Sequence, residues 1–409
     1  MARIGIVGCG IVGLACAHAL AANGHAVTLI DRDPDGDKCS WGNAGGIAAP
    51  EVLPAAVPGI IRRVPRWLID PLGPLALRPT HLPRALPWLR HFVAAARPER
   101  MERAAAALAV LNRHVTADME ALLAAVGLRA DLRRTGALSV YETAAALAAD
   151  RPFWALAARL GFPAEEVSSA DARALEPALG PRVACGVLDP GWSQVSDPKR
   201  IWRGLFDSLI ARGVPVIRAE MRDFDTAGLF DQIVVAAGAW SAALATRFGD
   251  RVLLESERGY NTTLPAPGIA LSREVIFAER KFVATPLSIG LRIGGAAEFA
   301  GLAAPPNFAR SRALLRLARL YLPDLDAGGG TVWMGHRPST PDSLPVIGRS
   351  PHRPAVIYAF GHGHLGLTQS ATTARLVAAL AAGRDPGIDL APYAINRFAR
   401  SMRPAPSRR

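Results

Sequence analysis

The chain has 409 residues, 50% of them hydrophobic and 20% charged, which is enough for more than one core and excludes a disordered, collagenous or disulfide-stapled chain. Its formal charge is +12, yet all but Lys38, Lys199 and Lys281 of its 47 basic residues are arginine; this Ala/Arg bias reads as GC-rich codon usage and gives no reason to expect nucleic-acid binding. Cys9, Cys16, Cys39 and Cys185 form no C-x-x-C pair and no cluster with histidine at metal-ligand spacing, so free thiols, a cytoplasmic setting and no metal site are expected.

The apolar N-terminus lacks a basic leader and is interrupted by His18, Asn23 and His25, so neither a signal peptide nor a membrane span is expected. Ile4 to Val7 predicts a short strand. Gly8-Cys9-Gly10-Ile11-Val12-Gly13 follows, then a helix with Leu14, Ala17, Leu20 and Ala21 at helical spacing, ended by Asn23-Gly24. Ala26 to Ile30 predicts a second strand that delivers Asp31. This is the order a dinucleotide site requires. Gly8 permits the tight turn, Gly10 lets backbone approach a pyrophosphate, and Gly13 lets the helix lie on the strand. The helix N-terminus offers free N–H groups to phosphate, and Asp31 accepts from a ribose diol. Ser40-Trp41-Gly42-Asn43-Ala44-Gly45-Gly46-Ile47 is small, polar and glycine-dense, suited to bringing backbone N–H groups against a flat ring system.

From Glu51 to Pro98 the chain is rich in proline, and seven arginines face two acids. Its expected form is an extended crossing between domains; the alternative is peripheral contact with an anionic membrane surface. One long helix is expected over Met101 to Val126 and another over Thr143 to Leu160. Ser196-Asp197-Pro198 caps a further helix that ends at Gly213. Val214 to Arg218 and Gln232 to Ala236 predict strands, the second running into Ala237-Gly238, where small residues again permit close approach to a cofactor. Alternation over Val252 to Leu264, Phe282 to Pro286 and Leu291 to Gly295 predicts a separate antiparallel sheet. A helix is expected over Asn307 to Leu320. Arg337, after a strand and before a proline, suits bidentate capture of a carboxylate. Val356 to Phe360 then leads into Gly361-His362-Gly363-His364-Leu365-Gly366-Leu367-Thr368 and a helix to about Ala382, a second strand, glycine turn and helix.

Gly8 to Gly13 with Asp31, Ser40 to Ile47, Gly335 to Gly348 and Gly361 to Ala371 together resemble the D-amino-acid oxidase-like FAD-dependent oxidoreductases. The nearest branch resembles the D-amino acid dehydrogenases, and Gly259 to Pro265 with the last two blocks is similar to the D-hydroxyproline dehydrogenases. The blocks fall in the family's order across essentially the whole chain.

The resemblance implies a mixed α/β fold. A Rossmann-like FAD-binding domain would be assembled from 1–85, 165–245 and 330–395, and an antiparallel-sheet substrate domain from 86–164 and 246–329. It places Gly8, Gly10 and Gly13 at the ADP half of FAD and Asp31, where many relatives have glutamate, at the ribose. Asn43, Ala44, Gly45, Gly46, Gly363, His364, Leu365, Gly366 and Thr368 would lie near the isoalloxazine, with Ala237 and Gly238 beside the cofactor. Arg337 matches the carboxylate-binding arginine, and Tyr260 is a second substrate contact. Some relatives attach FAD through a cysteine near the C-terminal block; this chain has none beyond Cys185, so non-covalent FAD is expected.

The implied reaction passes a hydride from Cα of a D-amino or imino acid, foremost cis-4-hydroxy-D-proline, to flavin N5. Electrons then leave to a quinone or other carrier, with the protein cytoplasmic or peripheral on the inner face of the cell membrane. Two alternatives stay open: a glycine- or sarcosine-type amine oxidase, and an FAD-binding subunit of a multi-subunit dehydrogenase.

Overall fold

The computed structural model describes residues 1–70, 72–221 and 228–401. Its first sheet has the strand order Val216–Arg218, Ala26–Asp31, Arg3–Val7, Gln232–Val235, Val356–Phe360 and Val346–Arg349. The first five strands are parallel and the last is antiparallel. The parallel strands are nearly continuous apolar runs because helices cover the sheet. Ile11–Ala22, Pro198–Ala211 and Gly366–Ala381 share one core with Ile4, Ile6, Leu29, Val234 and Ile357.

The second sheet has the order Thr331–Ser339, Glu255–Leu264, Gly290–Phe299, Phe282–Leu287, Glu274–Phe277, Ala137–Tyr141, Cys185–Asp189 and Glu165–Ser168. It is antiparallel except where Glu274–Phe277 meets Ala137–Tyr141 and where Leu75–Leu77 pairs with Gly290–Phe299. Period-two alternation gives it two different faces. Val275, Phe277, Phe282, Ala284, Leu291 and Ile293 pack under helix Ala309–Tyr321. Glu274, Ile276, Val283, Arg292 and Gly294 turn the other way and line a large cavity. A third, small sheet joins Gly46–Ile47, Ser193–Val195 and Leu132–Arg133, tying the expected flavin loop to the body.

Strands Glu165–Ser168, Cys185–Asp189 and Thr331–Ser339 lie in the second sheet, so the chain crosses between the two large sheets inside 165–245 and 330–395. The expected helix over Met101 to Val126 is two, Pro98–Asn112 and Val115–Ala125. The break follows buried Asn112, whose amide donates to the carbonyls of Ala49 and Glu51 and accepts from Gln369. The stretch expected to run extended carries helices Ile60–Ile69 and Leu82–Ala95. Its prolines mask the helical spacing of Ile60, Ile61, Val64, Trp67 and Leu68, which line the cavity together with Arg63 although Ile61 and Leu68 stay exposed; Arg62, Arg66 and Ile69 are exposed and off that wall.

Candidate active site

The cavity between the two large sheets holds about 1480 Å³, above the usual range for a single small ligand. At one end, the strand Arg3–Val7 stops at Gly8, whose φ of +111° is a left-handed conformation that favours glycine. A Cβ on Gly8 would meet the Ala236 carbonyl oxygen at 2.4 Å, and one on Gly13 would meet the Gly8 carbonyl oxygen at 1.9 Å. Both glycines are therefore required by backbone packing. Gly10 differs: nothing lies within 4 Å of the place its Cβ would take, and it caps a helix whose N-terminus lines the cavity. That open cradle over unpaired N–H groups fits a pyrophosphate.

Asp31 is held in place by the amides of Cys9 (2.7 Å) and Asp33 (2.8 Å), with the Lys38 ammonium at 3.5 Å. Nearby, Arg32 stacks on Trp240 at 4.4 Å and Trp240 meets the edge of His336. Burial, with Arg258 and Arg32 beside it, pulls His336 down to about 4, so it is neutral at physiological pH. Ala237 and Gly238 line the same wall.

The glycine-rich loop is built from several directions. Asn43 Oδ1 accepts from the Gly45 amide (2.8 Å), and its Nδ2 donates to the His364 carbonyl (3.3 Å). Gly45 has a φ of +93°. The Thr368 hydroxyl donates to the Gly46 carbonyl and accepts from the Ala48 amide, each at 3.1 Å. Loop, C-terminal glycine turn and helix Gly366–Ala381 thus form one cradle. Ala44, Gly46, Gly363, His364, Leu365, Gly366 and Thr368 face the cavity.

Two residues the sequence reading did not assign to this cradle hold it from the sheet. Arg292 donates to the carbonyls of Trp41 (2.9 Å) and Asn43 (2.6 Å), and Asn261 Nδ2 donates to the Gly42 carbonyl (2.8 Å). Burial pulls Arg292 down to about 10, so it still places a fixed positive charge under the loop at neutral pH. The only sequence signal was a charge at an alternating inward position of a strand.

Arg337 lies on the facing wall. Its Nη1 donates to Glu257 Oε1 (2.9 Å) and to the Ala296 carbonyl (3.1 Å). The guanidinium rests on Gly259, where a Cβ would come within 2.5 Å of Arg337 Cζ. Burial would raise the Glu257 carboxyl. Arg337 and His364 beside it, and the Ser339 hydroxyl bonded to it, outweigh burial and hold it below its ordinary value. Tyr260 also lines the cavity, though the residue is 1% exposed and its hydroxyl donates to Glu298 and accepts from the Asn307 amide.

The residues fit a flavin dinucleotide. Besides the Gly10 cradle, Ser40 Oγ is buried on the cavity wall without a hydrogen-bond partner among the described residues; such a group is normally satisfied. Burial pushes Glu274 up to about 8.

A dinucleotide fingerprint at a parallel sheet, a second glycine turn at the ring end and an arginine on a facing antiparallel sheet define a flavin-dependent oxidoreductase. The family model described as DAO, FAD dependent oxidoreductase, matches residues 3–380, and the chain belongs to this family; FAD is its cofactor. The chain is 36% identical over 416 residues to the D-amino-acid oxidase of Bradyrhizobium diazoefficiens, covering 97% of this chain and 99% of that one. It is 35% identical over 429 residues to D-amino acid dehydrogenase 2 of Ralstonia nicotianae, covering 97% and 100%. Glycine oxidase from Geobacillus kaustophilus is similar in structure with a TM-score of 0.73, at 22% identity over 97% of this chain and 99% of that chain. This last likeness shows the fold alone.

Proposed function

We propose that the protein is an FAD-dependent D-amino acid dehydrogenase acting on cyclic D-imino acids, with cis-4-hydroxy-D-proline preferred over D-proline. The observation that carries this reading is Arg337, a guanidinium fixed on the cavity wall by Gly259, Glu257 and Ala296. The relatives named D-amino-acid oxidase and D-amino acid dehydrogenase, matched over almost the whole chain, support it further. When bound, flavin supplies the oxidant that takes the Cα hydrogen with its electron pair. The substrate nitrogen also loses a proton, and an imine results.

The chain's part is to bind and orient. Arg337 anchors the carboxylate, which fixes the face of Cα presented to the cofactor. Only one enantiomer presents its Cα–H there while keeping that anchor. Apolar Leu77, Trp88 and Ile276 line the same cavity and keep water from the reacting carbon. With the Tyr260 hydroxyl engaged elsewhere, the unpartnered Asn261 Oδ1 is the acceptor we assign to the ring hydroxyl. A site built to bond a hydroxyl discriminates strongly against an analogue lacking it, so D-proline is expected to be the poorer substrate and L-proline the poorest. The test compares kcat/KM for cis-4-hydroxy-D-proline, D-proline, D-alanine, L-proline and sarcosine. D-Alanine leading would make the protein a general D-amino acid dehydrogenase, and sarcosine leading would make it an N-methyl amine oxidase.

We also infer that electrons leave to a quinone or other carrier and that the outward arginines of helix Ile60–Ile69 touch an anionic membrane surface. No helix among the described residues is long and apolar enough to cross a membrane, so such contact would be peripheral. Binding to phosphatidylglycerol-containing vesicles is expected at low salt and should weaken as salt rises. Hydrogen peroxide production as fast as dye reduction would overturn the dehydrogenase reading.

A further inference from the structure

The Arg337 site has a charge problem. Arg337 is paired with Glu257 at 2.9 Å, so together they present no net charge to an incoming carboxylate. Arg258 is fully buried and spends its donors on the carbonyls of Gly301, Ala304 and Pro305. Arg292 is committed to the glycine-rich loop. An anion held by Arg337 therefore needs another cation on the same wall.

Arg63 and Arg247 also line the cavity, but from helices Ile60–Ile69 and Ser241–Arg247; the cation set at the edge of the sheet that carries Arg337 is Lys281. It is exposed, lines the cavity and, among the described residues, has no carboxylate partner. The other two lysines are engaged, Lys38 with Asp31 and Lys199 over the Trp41 ring. Lys281 also stands beside the Arg337 anchor. Phe282 pairs with Gly295 across antiparallel strands, which sets Lys281 next to Ala296, the residue whose carbonyl accepts from Arg337. Adjacent strands lie about 4.8 Å apart, a distance the four-carbon lysine stem spans easily.

Both neighbours have left-handed backbone: φ is +56° at Lys281 and +57° at Ala296. Glycine would adopt this conformation without a Cβ penalty. A non-glycine residue kept in such a conformation on the wall of a functional cavity points to a use for its side chain.

We propose that Lys281 is the second anchor of the substrate carboxylate, gripping the anion that Arg337 holds from the other side. This rests on the reading that the substrate carries a carboxylate. The lysine supplies the net positive charge that the Arg337–Glu257 pair lacks.

The test is a titration of the FAD-loaded protein with pyrrole-2-carboxylate, a flat anion that cannot be oxidised in the same way, followed through the visible absorption of the flavin. Pyrrole-2-carboxamide is the neutral counterpart. Lys281→Met is expected to weaken carboxylate binding about ten- to a hundredfold, the worth of one hydrogen bond to a charged group, and to leave carboxamide binding nearly unchanged. Lys281→Arg should restore part of the loss. Lys281→Gly should lose the same affinity while raising Tm, because it relieves the left-handed strain. Unchanged carboxylate binding in Lys281→Met, or equal loss of both ligands, would overturn the proposal. No substrate need be turned over, so a failed substrate panel and a failed titration point to different errors.

Discussion

Arg337→Ala is expected to lower kcat/KM for the best substrate by roughly two to three orders of magnitude or more, while the protein stays folded and yellow. Removing one member of a desolvated charged pair costs about 3–5 kcal/mol, and each 1.36 kcal/mol is a factor of ten in rate. Here the loss has two sources. The substrate carboxylate loses its planar donor, and Glu257, now without the guanidinium at 2.9 Å, is left as a half-buried negative charge facing that carboxylate. Arg337→Lys should recover little, because a point charge cannot keep the contacts to Glu257 and Ala296 and also meet a carboxylate. The double variant Arg337→Ala/Glu257→Gln separates the two sources: removing the stranded negative charge should return part of the lost rate. Near-normal kcat/KM in Arg337→Ala with FAD bound would show that the carboxylate is held elsewhere.

The parts of this site that were legible in the sequence are those dictated by local backbone. Gly8 to Gly13 with Asp31 could be read because turn, helix and strand must follow in one order to bring N–H groups to a phosphate, and the structure places them so. The loop from Asn43 to Gly46 and the turn from Gly363 to Thr368 were legible as glycine-dense segments, but nothing in their spacing said that Asn43 and Thr368 would staple them to each other. Arg292, Glu257 and Lys281 escaped notice because their roles depend on strand register. Arg292 reaches the loop across some 250 positions of chain, and Lys281 meets Ala296 only through the pairing of Phe282 with Gly295. The contacts of Tyr260 depend on register in the same way: its position in a conspicuous motif carries no information that its ring meets Phe308 and its hydroxyl turns to Glu298. Helix Ile60–Ile69 was missed because proline counts weigh against a helix, although Pro65 is accommodated within this one.

The second large effect concerns the cofactor, and two glycines of one motif are expected to fail in different ways. The purified protein should be yellow and release intact FAD on denaturation; flavin that stays with the precipitated chain would overturn non-covalent binding. Gly13→Ala should give little or no flavin-loaded protein. Its new Cβ would sit 1.9 Å from the Gly8 carbonyl oxygen, and a backbone atom cannot step aside as a flexible side chain can. Helix Ile11–Ala22 must then move off the sheet, a strain of about 1–3 kcal/mol or more, so the apoprotein should also melt lower. Gly10→Ala meets no protein atom within 4 Å, so its apoprotein should melt as the wild type does. The added methyl group instead enters the cradle where the pyrophosphate approaches, and FAD affinity should fall by about tenfold or more, the scale of one displaced charge-assisted hydrogen bond. Apoprotein Tm and FAD affinity of both variants, measured together, decide the assignment. Gly10→Ala binding FAD as tightly as the wild type would remove the pyrophosphate from that helix N-terminus.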